Sequence, residues 1–198
     1  MPLRWDIDAT RRNMQLYCLF IDLFMDNIKI TSGKYRGRNN KSPNSKLTHP
    51  MGAREKLALF NMISGYLPRA VVLDAYAGSG ALGIEALSRG ASYAMFVEKN
   101  PRIAGVIRKN LAELGLAEQA SVSEWDAKNF LPPRNFDVIL ADPPYDNFDL
   151  RGIENLAKFL EKGGVFALSH PGEAPEISGL KLNKTREYAA ARISIYTK

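Results

Sequence analysis

Short apolar runs alternate with segments of helical periodicity from residue 70 onward. Five of the runs predict strands: AVVLD (70–74), SYAMFVE (92–98), QASVSEW (119–125), FDVILAD (136–142) and GGVFALSH (163–170). The segments between several of them, including PRIAGVIRKNLAELG (101–115) and a stretch near 150–161, predict helices. Apolar runs of this length separated by helices are typical of parallel strands buried on both faces. The pattern therefore predicts a doubly wound α/β sheet.

Residues outside this alternation complete the predicted fold. Two further β-like runs, 180–188 and 191–197, lie too close together for a crossover helix, so they must pair as an antiparallel hairpin at one sheet edge. Residues 54–67 predict a helix beside the first strand. Pro101 suits a helix start, and Gly90 and Gly115 suit helix ends. The fold class is thus a Rossmann-like, mostly parallel seven-stranded sheet with a C-terminal hairpin and a small N-terminal extension.

The composition indicates one globular domain. The chain has 198 residues, of which 45% are apolar and 24% charged, and no apolar run approaches the roughly 20 residues that cross a bilayer. The segment 16–24 resembles a signal peptide but is interrupted by Asp22 and lacks a cleavage site, so we expect no export. One cysteine, Cys18, forms no internal disulfide, which favours the cytoplasm. We expect a monomer that binds no membrane.

Charge is concentrated near the N-terminus. The net charge is +6 and the pI about 9.4, which favours a polyanionic partner. No acidic residue lies between Asp26 and Glu55, whereas basic residues recur there among Gly, Asn, Ser and Pro. This composition predicts a flexible basic arm for phosphates, although a merely solvated basic loop has the same composition. The candidate phosphate-binding residues are Lys34, Arg36, Arg38 and Arg54.

These patterns divide the chain into three parts. Residues 1–27 are an extension, either an amphipathic helix or a segment preceding an internal start at Met25. Residues 28–50 are the basic arm, and residues 51–198 are the sheet domain. Only two histidines, His49 and His170, accompany the single cysteine, so no metal site is expected.

A glycine-rich loop follows the first predicted strand and opens the next helix. Gly78 to Gly83 fit G-x-G-x-x-G, and Glu98 lies twenty residues beyond Gly78, as in dinucleotide-binding folds. Asp74, at the end of the strand, would repel a pyrophosphate at the helix N-terminus. The same carboxylate suits S-adenosylmethionine, which carries an ammonium and a sulfonium group. Asp126 follows the third predicted strand of the sheet and could accept a hydrogen bond from adenine, although a surface turn also explains it.

The fourth predicted strand ends in Asp142-Pro143-Pro144-Tyr145. The prolines stiffen the turn and lack N–H groups that would compete for its acceptors. A carboxylate and a main-chain carbonyl match the two hydrogens of an exocyclic amine, which is a poor nucleophile that acceptors activate. Tyr145 can stack on an extruded base. The turn therefore indicates a pocket for a nucleobase amine.

At this point the chain resembles the bacterial small-subunit (16S) ribosomal RNA guanine-N2 methyltransferases, which have the class I S-adenosylmethionine-dependent fold. The resemblance spans roughly residues 28–198. It rests on ITSGKYRGR (30–38), REKLALFN (54–61), DAYAGSGALGIEALSRGA (74–91), VEKN (97–100), ADPPY (141–145) and REYAAARISIY (186–196). The segment THPMGARE (48–55) departs from the family, because His49 replaces its usual arginine, and residues 1–27 match nothing in it.

The resemblance implies a substrate, a methyl donor and a set of site residues. The substrate is ribosomal RNA or a partly assembled small subunit, gripped by the basic arm. The candidate donor-binding residues are Asp74, Ala75, Gly78, Ser79, Gly80, Glu98 and Asp126, and the candidate catalytic residues are Asp142, Pro143, Pro144 and Tyr145. D-P-P-Y is shared with DNA adenine-N6 methyltransferases, so adenine methylation in DNA or RNA remains an alternative, as does a non-catalytic RNA-binding module.

Overall fold

A computed structural model describes residues 25–43, 51–188 and 191–198. The interpretations of segment 16–24, Cys18 and His49 lie outside the described residues. In the described part, no helix has the length and apolar character needed to cross a membrane.

A seven-stranded sheet forms the centre of the molecule, in the order β5-β4-β3-β6-β7-β9-β8. The first five strands in this order are parallel, and β9 and β8 are antiparallel. The doubly wound sheet and the C-terminal hairpin are thereby confirmed. The strands are β3 (Val71–Asp74), β4 (Tyr93–Val97), β5 (Ala120–Ser123), β6 (Phe136–Ala141), β7 (Leu160–His170), β8 (Lys181–Glu187) and β9 (Arg192–Thr197).

Helices cover both faces of the sheet, and their ends follow from local sequence. Asn100 caps α3 by accepting a hydrogen bond from the Arg102 N–H, Pro101 takes the first helical position, and Gly115 ends the helix with φ of 71°. Such ends satisfy main-chain groups that have no partner within the helix. The last helix is shorter than expected and β7 starts earlier. The helices are α1 (Ala53–Met62), α2 (Ala81–Ser88), α3 (Pro101–Leu114) and α4 (Leu150–Ala157).

The core lies in two layers, one on each face of the sheet. Val72 and Val138 point to the layer formed by α1, α2 and α3, and their neighbours Leu73 and Ile139 point to the layer formed by α4. This alternation follows from the two-residue period of a strand. Because helices cover both faces of the sheet, the parallel strands have continuous runs of apolar residues.

The described part of the basic arm, residues 28–43, is ordered where we expected a flexible arm. Strands β1 (Met25–Lys29) and β2 (Asn39–Pro43) pair antiparallel, so β1 spans the boundary expected after residue 27. The connecting turn packs on α2: the Lys34 N–H donates to the Ser88 carbonyl at 2.8 Å. A Cβ on Gly33 would lie 1.8 Å from that carbonyl oxygen, so only glycine permits this approach. We refer to residues 25–43 as the N-terminal hairpin.

Candidate active site at the carboxyl edge of the sheet

Four acidic residues lie at the carboxyl ends of neighbouring parallel strands. Asp74 ends β3, Glu98 follows β4, Asp126 comes three residues after β5, and Asp142 follows β6. Ligands of open α/β sheets bind outside these strand ends, next to the point where the strand order reverses. Here that point lies between β3 and β6, between Asp74 and Asp142.

Asp74 is the most deeply buried of these acids, with 1% of its surface exposed. Its Oδ2 accepts the Gly83 N–H at 2.8 Å, whereas its buried Oδ1 has no hydrogen-bond partner among the described residues. Burial raises the pKa of Asp74 to about 7, opposed by the hydrogen bond from Gly83 and assisted by the negative charges of Asp142 and Glu98. A cationic group would supply both the missing partner and the missing countercharge.

Glu98 holds the glycine loop in place. Its Oε2 accepts the Gly78 N–H at 3.0 Å and its Oε1 accepts the Asn100 N–H at 2.8 Å. Each oxygen keeps one lone pair for another donor. The Gly78 N–H of the loop is therefore already bonded to Glu98.

Three other loop residues are also fixed by main-chain or packing contacts. The Ala75 N–H donates to the Leu140 carbonyl at 2.9 Å, and the Gly80 N–H donates to the Ala77 carbonyl at 2.7 Å. The buried Ser79 accepts hydrogen bonds at its main-chain carbonyl from two asparagines. The loop thus presents a rigid backbone, with these groups used internally.

Gly83 allows the helix after the loop to lie against β4. A Cβ at this position would come within 2.3 Å of the Phe96 ring. The close approach puts the Gly83 N–H within reach of Asp74. This is the third glycine of G-x-G-x-x-G, whose role in such loops is close helix–strand packing.

Asp126 borders a second part of the site, on the α4 side of the sheet. Its Oδ1 accepts the Lys128 N–H at 3.0 Å and starts a short 3₁₀ turn. The Tyr76 hydroxyl is buried nearby without a partner in the described residues. Burial, with the charges of Asp126 and Asp149, raises the pKa of Tyr76 above its usual range. Sequence reasoning passed over Tyr76, although it stands inside the glycine-loop motif.

The Asp142 turn is connected to β7 through Ser169. Burial raises the pKa of Asp142 to about 6, and a hydrogen bond with Ser169 opposes the shift. The Tyr145 hydroxyl and Ser169 Oγ also share a hydrogen bond. Pro143 is buried, whereas Pro144 is exposed and precedes the turn that contains Tyr145. Ser169 thus contacts both candidate catalytic side chains.

Sequence reasoning missed Ser169 and examined its neighbour His170. The His170 ring is buried, bonded to Ser194 Oγ at 2.8 Å, and desolvation lowers its pKa. It is a hydrogen-bonded residue at the end of β7, a strand that lies between β6 and β9. The only available signal for Ser169 was its place at the end of the fifth parallel strand, where side chains reach the switch point.

The candidate RNA-binding residues are exposed on two elements. Lys34, Arg36 and Arg38 lie on the turn of the N-terminal hairpin, and Arg54 lies in the first turn of α1. Arg38 also donates to the Glu113 carbonyl at 2.9 Å. The residues described include no group of three His, Cys, Asp or Glu side chains that could hold a metal ion.

Comparisons with known proteins agree with this arrangement. The chain is 33% identical over 182 residues to YlbH of Bacillus subtilis, covering 86% of this chain and 99% of YlbH. It is 41% identical over 123 residues to "Ribosomal RNA small subunit methyltransferase D" of Haemophilus influenzae, covering 60% and 64% of the two chains. The solved structure of yhhF from Escherichia coli superposes with a TM-score of 0.75 at 29% identity, covering 87% of this chain and 98% of yhhF.

The family assignment rests on nearly the whole of the described chain. The family described as "Conserved hypothetical protein 95" matches residues 28–197, from β1 to the end of β9. The resemblance to small-subunit ribosomal RNA methyltransferases, drawn above from the motifs, is confirmed by the relatives, and this chain belongs to the Conserved hypothetical protein 95 family.

Proposed function

We propose that this protein transfers a methyl group from S-adenosylmethionine to the exocyclic N2 amine of a guanine in small-subunit ribosomal RNA. The name of the Haemophilus influenzae relative, a ribosomal RNA methyltransferase, supports RNA as the class of substrate. The observation that carries the proposal is Asp74, a buried carboxyl with one unpartnered oxygen, close enough to Asp142 and Glu98 for their charges to raise its pKa. A pocket with three acids from separate strands suits a cationic donor beside an amine.

The residues present fit this donor. Asp74 Oδ1 would receive its ammonium group, Glu98 would accept from the ribose hydroxyls with its remaining lone pairs, and Asp126 would accept from the adenine amine. The ammonium group would neutralise the buried Asp74 carboxylate, whereas the ribose hydroxyls and the adenine amine are uncharged hydrogen-bond donors. When bound, the donor supplies an electrophilic methyl carbon.

The Asp142 turn would hold and activate the nucleobase. The carboxylate of Asp142 and a main-chain carbonyl of the turn would accept from the amine hydrogens, which favours positive charge on the nitrogen as it is methylated. Tyr145, tied to Ser169 at its hydroxyl, would present its ring to the base. No strong base is needed, because the methylated amine is acidic enough to lose its proton to water.

The experiment that tests this role is the substitution Asp142→Ala. We expect loss of methyl transfer to small ribosomal subunits from cells lacking the protein, with donor affinity kept within about tenfold, because Asp142 faces the amine. Asp146→Ala is the matched control, since Asp146 is exposed in the same turn. Equal losses of transfer and of donor affinity would contradict this division of roles.

Product analysis distinguishes the guanine assignment from the alternatives. D-P-P-Y also occurs in adenine-N6 methyltransferases, so the methylated base must be identified. RNA from the reaction is digested to nucleosides, which are separated and identified by mass spectrometry. N2-methylguanosine is the expected product, and N6-methyladenosine would replace this proposal with the adenine alternative. RNA binding without any donor binding would indicate a non-catalytic RNA-binding module.

A further inference from the structure

The main-chain carbonyl of Ser79 connects the glycine loop to the N-terminal hairpin. Two side-chain amides donate to this oxygen, Asn40 Nδ2 at 3.3 Å and Asn110 Nδ2 at 3.3 Å. Asn40 lies on β2 and Asn110 on α3, whereas Ser79 lies between β3 and α2. All three residues are at least 96% buried, with exposures of 1%, 2% and 4% for Asn40, Asn110 and Ser79. Elements that are distant in the chain therefore meet at the glycine loop, which carries the candidate donor-binding residues.

Asn110 fixes the hairpin as well as the loop. Its Oδ1 accepts the Lys41 N–H at 3.0 Å, and its Nδ2 donates to the Lys41 carbonyl at 2.8 Å in addition to Ser79. One amide group thus binds both main-chain groups of a strand residue and the carbonyl of the loop. Since buried polar groups are costly to leave unpaired, strand and loop hold their relative position only together.

A second contact joins the N-terminal hairpin to α2, one turn after the start of this helix. Helix α2 starts directly after the loop, and its Glu85 accepts the Thr31 N–H at 2.8 Å and the Thr31 hydroxyl at 2.7 Å. The Gly83 N–H of the same helix donates to Asp74. The first two turns of α2 therefore contact the hairpin on one side and the candidate donor carboxylate on the other.

We propose that Asn110 and Asn40 are positioning residues that couple RNA binding by the hairpin to donor binding by the glycine loop. This inference rests on the proposed function. RNA favours the docked hairpin because the basic turn is presented in that state, and the donor favours it because docking shapes the loop. Two ligands that favour one state raise each other's affinity by the same factor.

The coupling factor itself is the measurement. S-adenosylhomocysteine serves as a non-reacting donor analogue, and small ribosomal subunits from cells lacking the protein serve as the RNA ligand. Equilibrium dialysis gives the Kd of the analogue with and without saturating subunits. For the wild-type protein we expect at least about fivefold tighter binding with subunits. For Asn110→Ala and Asn40→Ala we expect a ratio near one, while subunit binding without analogue stays within about threefold.

The Asn40→Ala variant distinguishes a loss of coupling from a loss of folded structure. It removes one hydrogen bond and also the Oδ1 acceptor, which has no partner in the described part of the chain, so the fold should persist. Asn155→Ala on α4, away from the hairpin, should keep the wild-type ratio. A wild-type ratio of one, or an unchanged ratio in both variants, would overturn the coupling alone. A wild-type protein that binds no analogue would overturn the proposed function and the coupling with it.

Discussion

At the scale of single residues, the proposed role of Asp74 makes donor binding depend on pH. Its pKa of about 7, raised mainly by burial, means that a large share of the free protein is protonated at neutral pH. A cationic donor binds the carboxylate form, so a proton must leave when binding occurs at lower pH. We expect the Kd for S-adenosylmethionine to rise as pH falls below 7, by up to about tenfold per pH unit. Calorimetry in buffers of different ionisation enthalpy would detect the released proton.

The same residue should oppose folding stability at high pH. A carboxyl whose pKa is raised on folding holds more protons in the folded state between about pH 4 and 7, so the free energy of unfolding falls as pH rises through that window. Asp74→Asn keeps an acceptor for the Gly83 N–H but carries no charge. The free energy of unfolding of this variant should exceed that of the wild-type protein at pH 8, and by a smaller amount at pH 5. Its affinity for the donor should not depend on pH. A wild-type pH profile in this variant would assign the proton to another group.

The sequence allowed most of these residues to be predicted because the carboxyl ends of strands are visible in an apolar pattern. Asp74, Glu98 and Asp142 needed only that pattern, since parallel strands bring their ends to one edge. Ser169 and the partners of Ser79 could not be predicted in this way. They depend on which strands and helices become neighbours, which local sequence does not specify.

At the scale of elements, Glu85 holds the N-terminal hairpin on the sheet domain. It is fully buried, 3.6 Å from Lys56 Nζ and 2.8 Å from Arg89 Nε. Desolvation raises its pKa, but hydrogen bonds from Thr31 and Arg89 and the charge of Lys56 outweigh that effect and hold the pKa below its usual range. Lys56 Nζ also donates to the Lys29 carbonyl of β1 at 2.9 Å. The attachment is therefore a buried charged network.

Breaking this network should be costly, since Glu85→Gln leaves two cations without their countercharge. We expect the free energy of unfolding to fall by about 3–5 kcal/mol, the usual cost of removing one partner of a buried ion pair. The control is Glu113→Gln, because Glu113 is 47% exposed in its side chain and pairs with Lys41 at 3.9 Å; it should cost less than about 1 kcal/mol. Urea unfolding of both variants makes the comparison, and similar costs would show that the network does not anchor the hairpin.

The hairpin was also the element that sequence reasoning predicted least well. MDNIK and NNKSP lack the β-branched alternation of typical strands, and their composition is that of a polar loop. Their pairing is stabilised by groups far away in the chain, such as Glu85 and Asn110. The parallel strands, by contrast, carry the apolar runs that their burial requires, so both their type and their approximate ends were predicted.

At the scale of the whole molecule, the distribution of charge bears on the proposed binding of RNA. The net charge is +6, yet the candidate active site holds four acids. Positive charge is placed on the hairpin turn, where Lys34 and Arg36 are exposed. Under the proposed function, such a separation would direct the phosphate backbone to the hairpin and leave the acidic pocket for cations and an amine.

The salt dependence of binding tests this separation. Replacing Lys34, Arg36 and Arg38 by Gln should weaken binding to small ribosomal subunits and make the plot of log K against log salt shallower by roughly one unit per lost phosphate contact. The matched control replaces Arg69, Arg134 and Lys162, which are exposed at the amino edge of the sheet, so both triple variants lose the same charge. If net charge alone determined binding, both variants would change the slope equally. Because phosphate contacts act locally, we expect a shallower slope in the hairpin variant only, and the reverse result would move the RNA-binding surface to the amino edge.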